Sequence, residues 1–501
     1  MQPRIRLFAP FVLAALTTAV LTACGGGGGG DAVVVREEAR AQDTRTSFAV
    51  VPPESYPDFE AGANGRPGFT ALAGSDTDRW TGTLAGAGYR VEVPRNWNGK
   101  LVMYAHGYAG MGNALAVQTP TALRRYLIDN GYAWAASSYS KNYYDVRAGV
   151  EDTNALANAF VEIARTNGRT LLAPTKTYIT GHSMGGHVAA AAVEAQAIAD
   201  ANNVVHYAGA VPMCGVTGDM ALFDTFTAMQ VAAQAVAGQP TSPVARWTEV
   251  DDLVNARLWT NPPAAWSPSA PIEPTAVEGE RYLSIVRNLT GGERPLFRLA
   301  LQRGGSFPSA YGVFGGDGTI DGILNKPGTD TTSITYRIDG NSAGSAALNA
   351  AALKVREDPE ANRRRSDGLR WVPQVNGDIR VPVVAIHTVG DLFVPFNMMQ
   401  IYRQRAAAAG RGDQLVTRAI RGISHCDFTV SEQVEAFDAM VRWEGGGPRP
   451  AGDDVLTPAT VAAPTYGCTF TRPAIAGTDT DAVVGLRGLI ASSGGACPSP
   501  S

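Results

Sequence analysis

The chain has 501 residues, enough to bury a large core and to hold more than one structural unit. Its 42 Lys and Arg stand against 46 Asp and Glu, and the formal net charge of −4 excludes the strongly basic balance that nucleic-acid binding calls for. With 45% hydrophobic residues the composition is that of an ordinary globular protein, and the tightest cationic run, Arg363-Arg364-Arg365, reads as a solvated surface.

Residues 1–24 read as a targeting segment rather than structure. Arg4 and Arg6 supply a positive stretch, residues 7–20 a short apolar one, and Leu21-Thr22-Ala23-Cys24 resembles the lipobox of bacterial lipoproteins. That resemblance implies lipidation of Cys24, which becomes the mature N-terminus. The alternative is an ordinary cleaved signal peptide. Either way the protein is exported: anchored by lipid in the bacterial cell envelope (outer membrane or cell surface), or secreted. The apolar stretch is too short for a membrane span. Gly25 to Gly30 begins a flexible tether over 25–46.

A first part of the core is expected over 47–215. Residues 89–93 alternate like a strand, 94–99 form a turn, and 100–105 read as a buried strand running into His106-Gly107-Tyr108. A helix over 122–130 ends before Gly131, a strand covers 132–138, and a helix over 150–166 stops at Asn167-Gly168. The apolar run 177–180, a small-residue helix over 187–193 and a strand over 207–213 follow. Alternating buried strands and helices imply an α/β fold with a mostly parallel, doubly wound sheet.

Ser183 and Asp391 stand 208 positions apart, about twice what one strand and its helices need. The surplus, 216–378, is expected to be a large, mainly helical cap inserted over the active site, with helical stretches over 220–237 and 281–303. Trp247, Trp259, Trp266 and Trp371 lie there, and are expected in the cap's own core, with a place for some in an acyl or aryl pocket left open. Asp317-Gly318-Thr319-Ile320-Asp321-Gly322 has the start of a calcium loop, yet Gly328 stands where the bidentate glutamate is needed, so it reads as a surface turn. The core resumes over 379–445, with a strand over 381–386 before Gly390-Asp391 and another over 415–420 before Gly422-Ile423-Ser424-His425. A Pro/Gly-rich tail, 446–501, closes the chain.

Chemistry centres on Gly181-His182-Ser183-Met184-Gly185, set between a strand and a helix. A serine at such a sharp turn projects its hydroxyl above the sheet edge. With 56 glycines the pattern also arises by chance, and Gly340-Asn341-Ser342-Ala343-Gly344 repeats it. Context selects Ser183: Ser183, Asp391 and His425 each end a strand, whereas Ser342 leaves 49 positions for the remaining strands before Asp391. An alcohol is a poor nucleophile at neutral pH, so His425 is the expected base and Asp391 its orienting acid. The N–H groups of Met184 and Tyr108 are the expected oxyanion hole. His106, Gly107 and His182 are candidate substrate-lining residues; His187 and His387 read as structural, and His206 as a loop residue. No cofactor or metal is required, and the expected partners are a small-molecule or polymeric ester substrate and, through the N-terminal lipid alone, a membrane. No obligate protein partner is evident.

Without Cys24, Cys214, Cys426, Cys468 and Cys497 remain, an even number in an oxidising compartment. Three connectivities are open; the favoured one joins Cys468 to Cys497 across the tail and Cys214 to Cys426 beside His425.

These residues make 47–444 resemble the α/β-hydrolase superfamily, and Gly181 to Gly186 is similar to the elbow of bacterial cutinase-type polyester hydrolases and many lipases. In those cutinases the methionine after the serine and a tyrosine of the oxyanion loop line the cleft; Met184 and Tyr108 match them. The chain departs from that group in length and in carrying a cap. The resemblance implies a serine carboxylic-ester hydrolase working through an acyl-serine. It also raises Asp219 as a rival acid, because some lipases place theirs one strand earlier. The alternatives are a serine aminopeptidase of the same fold and a non-catalytic surface binding protein.

Overall fold

The computed structural model describes Arg40, Gln42 and residues 48–61, 65–320 and 322–498. The targeting segment, Cys24 and nearly all of the expected tether lie outside the described residues.

Eight strands make the central sheet: β1 Thr77–Leu84, β2 Ala87–Pro94, β3 Lys100–Ala105, β4 Ala133–Ser137, β5 Lys176–His182, β6 Gly209–Met213, β7 Val383–Thr388 and β8 Leu415–Ile420. Across the sheet their order is β1-β2-β4-β3-β5-β6-β7-β8. The β1–β2 and β2–β4 pairs are antiparallel, and every other pair is parallel. Parallel strands are covered on both faces and so read as continuous apolar runs. In β3, Leu101, Met103 and Ala105 enter one core layer while Val102 and Tyr104 enter the other. The fold is therefore the mixed, mostly parallel, doubly wound α/β sheet that the sequence implies.

Helices α1 Thr121–Asp129, α2 Val146–Thr166 and α3 Met184–Ala191 follow β3, β4 and β5. Helix α2 begins four residues before the expected start, because the Asp145 side chain accepts from Ala148 N and caps its first turn. Between β6 and β7 the chain is mainly helical: α4 Ala221–Val236, α5 Glu278–Leu289, α6 Phe297–Arg303, α7 Ser306–Tyr311 and α8 Ser342–Ala351. The stretch expected as one helix over 281–303 is two. Gly291 (φ 122°), Gly292 (φ 86°) and Pro295 break it, the first two adopting backbone that a helix does not.

Helices α9 Asn397–Ala408 and α10 Val430–Glu444 follow β7 and β8, α10 opening on a reciprocal capping box between Thr429 and Glu432. The Pro/Gly-rich tail also holds a helix, α11 Asp481–Ser492. The disulfides are Cys214–Cys426 and Cys468–Cys497, the favoured pairing. Among the described residues no helix is long and apolar enough to cross a membrane.

Candidate active site

Ser183 stands between β5 and α3 at φ 58°, ψ −122°, a conformation a side chain adopts only under constraint. The constraint is close backbone packing. A Cβ at Gly181 would lie 2.6 Å from the Ala105 carbonyl oxygen; one at Gly185 would overlap that oxygen and lie 2.6 Å from the His106 carbonyl. A Cβ at Gly186 would lie 2.6 Å from Gly215 Cα. The elbow is thus wedged between the ends of β3 and β6. Ser183 N donates to the Met213 carbonyl (3.1 Å), extending the β5–β6 pairing that sets His182 opposite Met213.

Asp391 follows β7 and is fully buried. Its Oδ1 accepts from Phe393 N (2.9 Å) and Val394 N (3.0 Å), and its Oδ2 accepts from His425 Nδ1 at 2.6 Å. A carboxylate only accepts, so this bond places the His425 proton on Nδ1 and leaves Nε2 as the free base. Thr388 Oγ1 donates to the Ser424 carbonyl (2.9 Å) and pins the loop just before His425.

His425 follows β8, three strands from β5, or about 14 Å at ordinary strand spacing. The Cys214–Cys426 bond closes that gap. Cys214 directly follows Met213, the partner of His182, so it lies beside Ser183 at the sheet edge. Cys426 directly follows His425. Cys214, Cys426 and His425 have donor atoms within 4.8 Å of one another, but the two sulfurs are spent on each other and one imidazole is too small a donor set for a metal. Ser183 Oγ makes no hydrogen bond to His425 here, and His425 Nε2 lies 3.5 Å from Cys426 Sγ. Such bonds commonly tighten only when substrate binds.

The oxyanion candidates flank Ser183. Met184 is the first residue of α3, where a backbone N–H has no intrahelical acceptor. On the other side, a Cβ at Gly107 would come 3.4 Å from Ser183 Cβ, so the Gly107-Tyr108 turn packs against Ser183. His106 shapes that turn: it stacks on Tyr139 with centroids 3.9 Å apart, its Nδ1 lies 2.6 Å from the Gly107 carbonyl, and Tyr139 OH donates to the His106 carbonyl (3.0 Å). Burial holds the His106 pKa below its ordinary value.

His182 does not line the cavity at Ser183. Its Nδ1 lies 3.3 Å from Tyr104 OH and its Nε2 2.9 Å from Gln433 Oε1, beneath the elbow. Burial, opposed by the Gln433 bond and reinforced by His425, pushes its pKa down to about 4. His187 is held between Tyr144 OH (2.9 Å) and the Pro373 carbonyl (2.7 Å). His387 donates to the Val394 carbonyl (2.7 Å) beneath Asp391. Asp219 is paired with Arg405 Nη1 (2.6 Å) and accepts from Val375 N. The carboxylate against His425 is that of Asp391. Ser342 is exposed on α8.

A cavity of about 390 Å³ opens beside Ser183, walled by Tyr108, Phe223, Phe226, Phe314 and Phe393 among others. None of Trp247, Trp259, Trp266 and Trp371 lines it. Trp247 packs edge-on against Tyr311 and Phe314, and Trp371 lies under the Arg365 guanidinium at 3.9 Å.

Two residues behind the site were not legible from the sequence. Arg294, buried in the break between α5 and α6, donates through Nε to the Val389 carbonyl (2.6 Å), two residues before Asp391. Ser306 Oγ accepts from Leu392 N (3.1 Å). Both belong to the insertion, nearly a hundred positions from the loop they hold. An arginine inside a Gly/Pro break was the one available signal.

No protein-family model matches the chain. It is 31% identical over 68 residues to the o-phthalyl amidase of Xanthobacter agilis, a match that spans 14% of this chain and only 15% of that enzyme. Among solved structures it is similar to feruloyl esterase B from Aspergillus oryzae (16% identity, 81% of this chain and 87% of that one, TM-score 0.40). It is also similar to an esterase from Aspergillus oryzae (12% identity, 77% and 80%, TM-score 0.38).

Proposed function

We propose that the chain is an exported serine hydrolase that cleaves carboxylic esters by acyl transfer. The observation that carries this reading is the pairing of His425 Nδ1 with the buried Asp391 carboxylate at 2.6 Å, on a loop that Cys214–Cys426 fastens beside Ser183. Ser183 Oγ attacks the ester carbonyl while His425 Nε2 takes its proton, and Asp391 stabilises the imidazolium. The developing oxyanion is received by the Met184 and Tyr108 N–H groups. Collapse expels the alcohol, which takes the proton back from His425. Water, deprotonated by the same imidazole, then releases the acid and restores Ser183.

An ester is favoured over the substrate of an aminopeptidase, because among the described residues that line the cavity at Ser183 none is an acid that could receive an α-ammonium group. In the same reading Cys24 carries the lipid, and the two disulfides suit an oxidising compartment.

The test is turnover of p-nitrophenyl esters and aminoacyl p-nitroanilides, with labelling by a fluorophosphonate. Ester hydrolysis and labelling both lost in Ser183→Ala support the reading. Preference for the anilides would move the protein to the peptidases, and absence of both labelling and turnover in the unmutated protein would leave a binding protein.

A further inference from the structure

The cavity beside Ser183 is lined by aromatic rings, aliphatic side chains and stretches of bare backbone. From His425 a run of rings leads inward: Phe393 meets His425 edge-on at 5.5 Å, Phe226 stacks on Phe393 at 5.9 Å with planes 23° apart, and Phe223 meets Phe226 edge-on at 6.3 Å. Tyr144 closes the run against Phe223 at 5.1 Å, and its hydroxyl is already engaged by His187. The same cavity is also lined by Gly312, Gly316 and Gly318, which present backbone rather than side chains, beside Phe314 and Ile320 of the same stretch. Ring faces and bare backbone thus line one slot beside Ser183. Among the described residues that line it there is no Asp, Glu, Lys, Arg or His.

From this geometry, and resting on the ester-hydrolase reading above, we infer that the slot holds an uncharged aromatic group of the substrate ester. A planar ring takes offset-stacked or edge-on places among Phe393, Phe226 and Phe223, which a flexible alkyl chain does not exploit. An ionised group entering the slot loses its water with no counter-charge among the described lining residues to replace it. The ring can belong to the acid or to the alcohol, and the two sources are separable by substrate.

The experiment compares kcat/KM of the full chain on ethyl benzoate and ethyl cinnamate (ring in the acid), benzyl acetate (ring in the alcohol), ethyl hexanoate and ethyl decanoate, and the monoethyl ester of phthalic acid. At least one aromatic series should exceed the alkyl esters tenfold or more, and the ionised phthalate half-ester should fall tenfold or more below ethyl benzoate. Which series leads assigns the slot to the acid or the alcohol. In Phe226→Ala the ratio of aromatic to alkyl turnover should drop. Gly316→Leu should lower that ratio too; a Cβ there meets nothing nearer than the Val313 carbonyl at 4.0 Å, so the backbone accepts it. Decanoate preferred to both aromatic series, with Ser183 labelled by fluorophosphonate, overturns the aromatic slot and leaves the hydrolase reading intact. Loss of labelling together with all turnover overturns both.

Discussion

The chain writes Gly-x-Ser-x-Gly twice and the structure uses the two copies for unrelated purposes. In Gly181–Gly185 both glycines are forced by carbonyl oxygens of the neighbouring strand, and the serine between them is held at positive φ. In Gly340–Gly344 the five residues are an exposed helix start. Asn341 Oδ1 accepts from Gly344 N (2.7 Å), Ser342 is the first residue of α8, and the atoms nearest a Cβ at Gly344 would be those of the Asn341 side chain. The pattern is a by-product of packing at the first site and of helix capping at the second. What separates them is whether a strand end lies against the glycines, and five letters do not record that.

Exchanging the serines is the sharpest way to break the comparison. Ser183→Ala should lower kcat/KM on p-nitrophenyl acetate by about ten-thousand-fold or more. Ser342→Ala should stay within about twofold. Equal effects would abolish the distinction. The glycines extend it to stability. We expect Gly185→Ala to cost more than about 4 kcal/mol, because an extra carbon must displace two backbone carbonyls at once. Gly344→Ala should stay within about 1 kcal/mol, its helical gain offset by moving Asn341. Urea midpoints of the two variants decide the point.

The elbow is built locally, whereas His425 is delivered to it from three strands away, so the next expectation concerns that delivery. Replacing Cys214 and Cys426 together by Ala releases a link spanning 212 residues, and should remove about 2–5 kcal/mol of stability. The loop carrying His425 then loses its tie to the strand beside Ser183. Because misplacement by 1 Å can cost about a hundredfold, kcat should fall roughly 10- to 100-fold while KM changes less. A double variant with full kcat at a temperature where it is folded would show that Thr388 and Asp391 hold the loop unaided. At the second copy the matching change is small: Asn341→Ala should cost about 1 kcal/mol and leave ester turnover untouched.

How much could be read in advance follows the same division. Strands β3 and β8 are legible residue for residue, because buried parallel strands are continuous apolar runs bounded by turns. Strand β1 is not, since at the sheet edge Thr77–Leu84 buries mainly Trp80 and Thr77 and carries Gly82 in its middle. The order Ser183, Asp391, His425 and both disulfides are visible because each rests on neighbours in sequence or on counting. The slot is not. Its rings come from α4, from the loop after α7 and from the turn after Asp391, and large aromatic residues in the insertion direct attention to the tryptophans instead. Arg294 and Ser306 support the acid loop from an insertion whose own helix break the 3.6-residue period conceals. Helix α11 is not legible because its glycines at 485 and 488 dilute the signal, yet Arg487 from it reaches the Arg421 and Asp427 carbonyls behind His425.

The smallest expected effect lies at the second letter of each copy, where one site has His182 and the other Asn341. An amide does not titrate, so only the true elbow should carry a pH signature there. His182 is neutral in the folded protein, with a pKa of about 4, and regains an ordinary value near 6.5 when the chain unfolds. Between those values the unfolded chain binds more protons than the folded one, so stability rises with pH across this window. The contribution is fully present above about pH 6.5 and is lost as the pH falls toward 4. His106, His187 and His387 are held below their ordinary pKa by burial as well, whereas burial pushes Glu194, Asp224 and Glu432 up to about 7 and works in the opposite direction, so the His182 contribution is read as a difference from the unmutated protein. His182→Gln keeps a polar group between Tyr104 and Gln433 and removes one of these protons. Its melting temperature, followed from pH 7 to pH 4, should fall less steeply than that of the unmutated protein, and Asn341→Ala should run parallel to it. A His182→Gln curve parallel to the unmutated one would mean that the imidazole already exchanges its proton freely in the folded elbow, and that the wedge of backbone around Ser183 is looser than its glycines require.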